Sequence, residues 1–498
     1  MPTPTGDTAA LPGGGAGPRR LLSLRPGVRV ARVVPDGPDL EFTHPWGRHR
    51  ISGLGGPGAE LLLAMTVRPL AESDLRQPGG PQVLQLLQRL PYLVASTLTD
   101  GAGQPVATVV PMTRATRLPD HQPMAGHDPV ALSPFGYLRR LPGEPDSFVV
   151  ESPLAPYRVT LHSPAAAGLV AALAVRRPVA EAAALVPGLP LDVAGALCGL
   201  LAGCGFLDTG PPKPDDPLRL WDFHDLLFHA RSRAGRHDYP SGGIFAHPDL
   251  PRLPPVPAHA GDGPAIDLPV PTWDAVLARD PALTEVLEGR RSVRRYADDP
   301  VSVGQLGELL YRAARVRRIV PRVPGSPTGY DGVDRPYPTG GATGELELYL
   351  AVAECAGLPP GVYRYDAAAH RLCQRRGDQR ALEEMLTGAR RATNPTVPPQ
   401  VLITVTSRFG RLSWKYSQIA YALTLKHVGV LFQTLYLVAT AMGLAPCAVG
   451  SGDIDAAARA LGLDWTEESS VGEFLIGSRP PNLPSVATAF ADVLPDYR

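Results

Sequence analysis

Arg290-Arg291-Ser292-Val293-Arg294-Arg295-Tyr296 is the stretch on which the reading of this chain turns. Four guanidiniums and a hydroxyl fall within its first six positions, directly after an apolar run with helical spacing (Leu283, Val286, Leu287) that Gly289 closes. A guanidinium is planar, permanently charged, and offers donors in a fork that matches phosphate oxygens two at a time. The same residues would also suit a solvated, charged helix end. Two features further along the chain favour an anion site: a Gly-rich turn, Pro338-Thr339-Gly340-Gly341, and an adjacent pair, Lys415-Tyr416.

A length of 498 residues predicts about three domains. Hydrophobic residues make up 44%, enough for sizeable cores, and the formal net charge of zero argues against bulk nucleic-acid binding. The 57 prolines and 52 glycines predict many turns and some long linkers. Only three lysines occur (Lys213, Lys415, Lys426), so nearly all positive charge is Arg and each retained Lys calls for a reason. Cys198, Cys204, Cys355, Cys373 and Cys447 show neither a CxxC pair nor zinc spacing, and read as buried apolar residues of a reducing compartment. The N-terminus lacks a basic region followed by an apolar core, so no secretory signal is expected. Residues 428–444 form a short apolar run with Gln433 inside it, which reads as a helix buried on all sides, not a membrane span. A cytoplasmic protein is expected, without membrane or nucleic-acid partner.

Residues 1–20, rich in Pro, Gly and Thr, are expected to be disordered. Alternating apolar residues (Val28, Val30, Val33, then Phe42 to Ile51) predict half-buried strands. Two apolar helical stretches (Ala59, Leu62, Leu63, Met65; Val83, Leu84, Leu87, Leu90) and strands at 92–98 and 106–111 complete a unit, 21–125, whose order resembles a winged helix. The order recurs over 132–210, with strands at 148–150 and 157–161, helices over 165–175, 179–186 and 191–201, and a closing strand at Phe206-Leu207. Residues 51–98 and 159–207 share their spacing, including the breaks Arg68-Pro69 and Arg177-Pro178, and read as an internal duplication.

Gly210-Pro211-Pro212-Lys213-Pro214 opens a linker and connecting segment, 211–272, and the main boundary is placed in its proline-rich part, 251–271. His224 and His229, five apart on a predicted helix, point to different faces, so no metal site is expected from them. The last domain spans 273–498. In it, Ser302-Val303-Gly304-Gln305 has capping-box spacing before the stripe Leu306, Leu309, Leu310, Ala313, Ala314. A basic, Pro- and Gly-rich loop is expected over 315–338, buried strands at 346–353 and 401–405, a long helical stretch over 416–442, and a last central strand at 474–477.

No Walker loop, GxSxG elbow or HExxH occurs, so the common triphosphate, esterase and zincin sites lack their signatures. Gly340, Gly341 and Gly344 carry no Cβ and would let backbone approach a flat ring closely. Gly450-Ser451-Gly452 is a second turn, suited to wrapping a phosphate with backbone donors, and Arg479 could add charge there. Lys415 and Tyr416, as neighbours, reach one site only near a helix start or bend. Burial can lower a lysine pKa until the amine serves as a base, a role closed to arginine. The alternative is a surface Lys beside a core Tyr.

In their order and spacing, several stretches together resemble the SagB-type peptide dehydrogenases, which belong to the nitroreductase-like FMN enzymes. They are Arg290 to Arg294, Arg335-Pro336-Tyr337-Pro338-Thr339-Gly340-Gly341, Lys415-Tyr416, Gln433-Thr434-Leu435-Tyr436-Leu437 with Met442-Gly443-Leu444, and Val471-Gly472-Glu473-Phe474-Leu475-Ile476-Gly477-Ser478. The resemblance covers residues 273–480, and 221–236 is similar to the segment preceding that domain in longer members. It implies an α+β fold: a C-terminal nitroreductase-like FMN domain, with a mixed sheet packed by helices, acting as a homodimer and preceded by two winged-helix-like peptide-clamp modules. It also implies oxidation of thiazoline or oxazoline rings to azoles in a ribosomally made precursor peptide, through its leader and azoline-containing core, beside a cyclodehydratase.

By position in that resemblance, Arg290, Arg291, Ser292 and Arg294 would hold the FMN phosphate and ribityl chain. Pro338, Thr339, Gly340 and Gly341 would line the isoalloxazine, with Gln433, Gly450, Ser451 and Arg479 completing the cofactor set. Lys415 and Tyr416 match the catalytic pair, and either is a candidate base for the acidic Cα proton of an azoline. Two departures stand out: Ala342-Thr343-Gly344-Glu345 replaces an Ala-Leu-Tyr-Pro-like run of many members, and Val430 stands where many have His. An NAD(P)H-dependent nitro- or flavin reductase, or a non-catalytic peptide-binding scaffold, would use the same framework.

Overall fold

Arg19 and Arg20, expected to be disordered with the rest of the chain's start, instead open a strand, because their backbone pairs with Thr99 and Leu98. The computed structural model describes residues 17–488 except 36, 38, 45–46, 115, 142–143, 211–215, 234, 237–239, 258–261, 327 and 486–487. Residues 1–16 and most of the linker at 210–214 lie outside the described residues. The chain divides into two compact units, Met1–Ser241 and Gly242–Arg498. The boundary therefore precedes the proline-rich stretch expected to hold it.

The first unit begins with β1 (Arg19–Leu24), β2 (Arg29–Arg32), β3 (Leu40–His44) and β4 (Gly47–Ile51). These lead into α1 (Gly55–Ala64), β5 (Leu70–Ala71), α2 (Glu72–Leu75), α3 (Gly80–Arg89), β6 (Val94–Thr99) and β7 (Pro105–Pro111). Then come β8 (Pro129–Leu132), β9 (Tyr137–Leu141), β10 (Glu144–Glu151), β11 (Tyr157–Leu161), α4 (Pro164–Ala172), β12 (Arg177–Pro178), α5 (Val179–Ala184), α6 (Leu191–Gly203), β13 (Leu207–Asp208) and α7 (Phe223–Arg231).

The order helix, short strand, two helices, strand occurs twice, and the pairing repeats with it. β1 lies between β5 and β6 as β8 lies between β12 and β13. The copies are nonetheless not separate, because β7 pairs with β11 and one seven-stranded sheet, β5-β1-β6-β7-β11-β10-β9, crosses both expected modules. They also differ along their last helix. α6 carries Gly195, Gly199 and Gly203, and a Cβ on any of them would overlap the carbonyl oxygens of Met124, Gln122 and Asp120 in turn. Residues 120–124 therefore cross α6 at backbone contact, fixed by the Met124 N–H to the Gly195 carbonyl at 2.9 Å. On α3 the residues Leu84, Gln85 and Gln88 instead line a cavity of about 680 Å³, walled by Arg20, Leu22 and Leu70.

The second unit opens with β14 (Ala265–Asp267), α8 (Trp273–Arg279), α9 (Leu283–Gly289) and α10 (Val303–Ala314). A hairpin, β15 (Arg318–Val320) with β16 (Gly332–Asp334), follows where a plain loop was expected. Next are β17 (Leu346–Val352), β18 (Gly361–Asp366), β19 (Arg371–Arg375), α11 (Gln379–Thr393) and β20 (Val401–Arg408). The unit ends with α12 (Phe409–Ser413), α13 (Ala420–Ala441), β21 (Leu444–Val449), α14 (Ile454–Leu461) and β22 (Glu468–Ser478).

Its sheet runs β14-β19-β18-β17-β20-β22-β21. The expectation of mixed strand directions is corrected: every described pairing is antiparallel, since β17 to β19 form a meander and each later strand enters against an oppositely running neighbour. Alternation then splits the apolar residues between two faces. Leu348, Leu350, Ile403, Phe474 and Ile476 meet α10 and α13, while Tyr349, Ala351, Leu402 and Leu475 meet α11 and α14. The Ser302 capping box is formed, with its hydroxyl accepting from the Gln305 N–H at 3.2 Å, and the predicted stripe of α10 is buried. α13 has the length and apolarity of a membrane span, yet packs one side on α10, β21 and β22. It is not buried all round, because Tyr421, Leu425 and Val430 remain exposed on its other side.

Candidate active site

Residues 290–297 run beside β21 and β22, with the Val293 N–H donating to Pro446 O at 2.9 Å and the Ala297 N–H to Ser478 O at 3.2 Å. Their contacts with Tyr436 and Cys447 put Arg290, Ser292 and Arg294 on one side. Ser292 Oγ lies 2.7 Å from Tyr436 Oη. The Arg290 guanidinium sits 5.2 Å over the Tyr436 ring, and the hydroxyl of Tyr436 accepts from the Ala448 N–H at 2.7 Å. Ser292 and Arg294 both reach the thiol of Cys447, which burial pushes up against the opposing effect of Arg294.

Arg291 approaches Arg479 from the other side. Burial first, then the charge of Arg291, holds the Arg479 guanidinium below the usual arginine range. Among the described residues no carboxylate pairs with Arg290, Arg291 or Arg294. Guanidiniums gathered without carboxylates, beside a hydroxyl, form a donor set that a phosphate monoester satisfies.

Nine residues earlier on α13, roughly 13 Å along its axis, His427 holds the glycine turn. Gly340 N–H donates to His427 Nε2 at 2.7 Å, which leaves the ring proton on Nδ1, paired with the Glu345 carboxylate. The second oxygen of Glu345 is 3.1 Å from Thr343 Oγ1, and all three side chains are buried. Thr343 and Glu345, both within the run that departs from many members, are thus what anchors the turn. The long helix also does carry a histidine facing it, three residues before Val430. Gly341, Ala342 and Gly344 all have left-handed φ (64°, 54° and 59°); for Ala342 this is strain on the order of 1 kcal/mol.

Lys415 and Tyr416 occupy the bend between α12 and α13, which lets neighbours reach one place. A Cβ on Gly341 would overlap Lys415 Nζ and lie 2.7 Å from Tyr330 Oη and 3.0 Å from Tyr416 Oη. Lys415 Nζ donates to Tyr330 Oη at 2.7 Å, and Tyr330 Oη donates to the Gly341 carbonyl. Burial lowers the Lys415 pKa, but the hydrogen bonds and charges of Tyr330 and Tyr416 outweigh it and the net shift is upward. Lys415 is therefore an ammonium, and the expectation that burial makes it a base is corrected by its two phenol neighbours.

Sequence reasoning missed the support of this bend. Phe245 N–H donates to Lys415 O at 3.1 Å, and Gly242 and Ser417 exchange backbone bonds at 2.9 and 3.1 Å. Arg411 donates to Leu253 O and Thr343 O, each at 2.8 Å. Arg408 donates to Pro254 O at 2.9 Å while lying 3.4 Å from Glu347, which Arg364 also approaches at 3.1 Å. Residues 242–255, taken as part of a linker, are thus a wall of the site; their only sequence signal is the density of Pro and Gly.

Of the other expected residues, Pro338 and Thr339 belong to the glycine turn: Pro338 is exposed, and Thr339 Oγ1 accepts from the Gly344 N–H at 3.2 Å. The remainder lie apart. Gln433 lies on the exposed side of α13. Gly450 and Ser451 are exposed before α14, and Ser451 lines a cavity with Arg380, Arg391 and Glu473; no described contact joins it to Arg290, Arg291 or Arg294. His229 stacks against Trp221 while His224 stands exposed near Asp222 and Asp225.

A family model described as nitroreductase matches residues 287–478, and one described as cyanobactin oxidase ThcOx matches residues 130–238. Over 169 residues the chain is 30% identical to MJ1384 of Methanocaldococcus jannaschii, a protein named as a nitroreductase, covering 78% of that protein and 34% of this one. Similar solved structures include a protein named as a nitroreductase from Ralstonia eutropha JMP134, at 20% identity and a TM-score of 0.33, covering 47% of this chain and 100% of that one. The E. coli microcin synthetase McbBCD complex with truncated pro-MccB17 bound is similar at 19% identity and a TM-score of 0.32, covering 51% of this chain and 91% of that one.

Proposed function

We propose a function from the premise that this chain belongs to the nitroreductase family and carries a cyanobactin-oxidase segment ahead of its nitroreductase domain. It is an FMN-dependent dehydrogenase that converts thiazoline or oxazoline rings of a ribosomally made peptide into azoles. The observation that carries this reading is the convergence of the Lys415 ammonium and the Tyr416 phenol on the glycine turn, where they occupy the space that a side chain on Gly341 would fill.

The residues fit FMN. Arg290, Ser292 and Arg294, with Arg291 and Arg479 beside them, would hold its phosphate, and Gly340 and Gly341 would meet its ring. Bound FMN would supply the redox step, taking up the two electrons that leave the azoline. The chain's own part is proton handling. An azoline Cα–H lies between a carbonyl and a C=N bond and is acidic. Tyr416, as its phenolate, is the base that takes this proton, and the Lys415 ammonium stabilises the phenolate and keeps it pointed at the turn.

The peptide leader docks on the first unit, where the open groove of α3 offers a place for it. The exposed side of α13, together with exposed Leu277, Leu283 and Leu287, is the face of a homodimer. Azolines arise by cyclodehydration, so the enzyme works beside a cyclodehydratase, in the cytoplasm.

The test is to identify the flavin released from purified protein by mass, then to mix the holoenzyme anaerobically with azoline peptide or with NADPH. Bleaching of the flavin by the peptide, with loss of two hydrogens per ring, is expected. Bleaching by NADPH alone, with none by peptide, would make it a nitro- or flavin reductase, and a colourless protein that takes up no FMN would remove the proposal.

A further inference from the structure

The proposed mechanism uses Lys415 and Tyr416 but leaves unexplained a third residue that the fold holds unusually firmly. Tyr330 stands on the exposed connection of the β15–β16 hairpin, where a side chain is ordinarily free. Here the carbonyls on both sides of it are held: Gly329 O accepts from Arg252 at 2.6 Å, and Asp331 O accepts from Arg411. Its ring meets Trp414 edge-on at 6.3 Å, with the Arg411 guanidinium 5.7 Å from its centre. Trp414 is in turn covered by Arg252 at 4.9 Å. Residues from two distant stretches thus fix one phenol.

What that phenol does is set by its hydroxyl. It accepts from Lys415 Nζ at 2.7 Å and donates its own proton to the Gly341 carbonyl. The ammonium also rests 4.8 Å from the centre of the Tyr330 ring. A hydroxyl whose proton is committed to a carbonyl is not the group that ionises. Tyr416 has no such commitment among the described hydrogen bonds, and it faces the same ammonium at 5.0 Å.

We propose that Tyr330 is a positioning residue: it fastens the Lys415 ammonium to the Gly341 turn and, by keeping its own proton, leaves Tyr416 as the phenol that acts as base. The part assigned to Tyr416 rests on the azoline dehydrogenase reading; the fastening of Lys415 does not. Because Tyr330 favours the charged amine and burial opposes it, removing the hydroxyl should release the Lys415 proton at lower pH.

The test uses Tyr330→Phe in the full-length holoenzyme. With only three lysines in the chain, pH-dependent amine labelling read by peptide mass resolves Lys415 by itself, and Lys426 on the exposed side of α13 serves as the internal control. The midpoint for Lys415 should move to lower pH while that of Lys426 stays. Turnover of azoline peptide should fall about tenfold to a hundredfold, the worth of one hydrogen bond to a charged group, with its alkaline limb moved to lower pH and FMN retention unchanged. Arg252→Gln, which frees Gly329, should move both readouts the same way by less. An unmoved Lys415 midpoint in Tyr330→Phe overturns the proposal, whatever happens to turnover. A wild-type protein inert toward azolines would sink the proposed function instead and leave the labelling result standing.

Discussion

At the Tyr436 end of α13 the candidate site is built almost entirely from one short stretch of chain, whereas at the His427 end it is assembled from five. Arg290, Ser292 and Arg294 need only a neighbouring strand to stand together. The glycine turn instead depends on His427, Glu345, Tyr330, the Lys415 bend and residues 242–255. The difference teaches where each end is vulnerable: the first to loss of a single charge, the second to loss of its scaffold.

The most damaging test of that contrast is a deletion. Residues 242–498 should retain a cooperative fold, whereas 273–498 should lose stability, because Arg408 and Arg411 are buried and would be left without the carbonyls of Leu253, Pro254 and Pro255. Each lost hydrogen bond to a charged group is worth about 1.5–3 kcal/mol, which thermal unfolding would register easily. Equal melting of the two chains would mean that 242–255 is only a linker after all.

Next in size is Lys415→Met, which should slow azoline oxidation about 10²–10⁴-fold while FMN stays bound, since no described contact joins it to the Tyr436 end. Loss of flavin in this variant would show the two ends to be one cooperative site. A smaller change is expected from Arg294→Ala, which should weaken FMN about tenfold or more and leave the turnover of flavin-saturated enzyme alone; equilibrium dialysis against FMN reads it directly. The smallest is Ser292→Ala, costing about 1 kcal/mol, roughly fivefold in FMN affinity, because Tyr436 keeps its bond to the Ala448 N–H. If Ser292→Ala hurt more than Arg294→Ala, the phosphate would be held by hydroxyls and not by charge.

The same contrast explains what could be read in the sequence. The arginine stretch, the Ser302 capping box and the stripe of α10 are local patterns, and each is found where its spacing puts it. Lys415 and Tyr416 were legible as a pair, and the bend they require exists. Tyr330 and the His427–Glu345 pair were not, since they become neighbours of the turn only when β16, β17 and α13 pack, and residues 82 apart leave no spacing to notice. Lys415 shows the limit most sharply. Its rarity singled it out, but the sign of its pKa shift is set by two phenols, one of them 85 positions away. The sheet's strand directions were likewise beyond reach, because antiparallel and mixed sheets bury the same apolar alternation.

The three glycines of α6 have a consequence for counting. A duplicated module would be expected to offer two equal seats. On the second copy, residues 120–124 already lie against the helix and the glycines leave no gap between them, so that copy is plugged by its own chain. Titrating a leader peptide against the intact protein should then reach its end point at one per chain, and a variant with the α3 groove blocked should bind none.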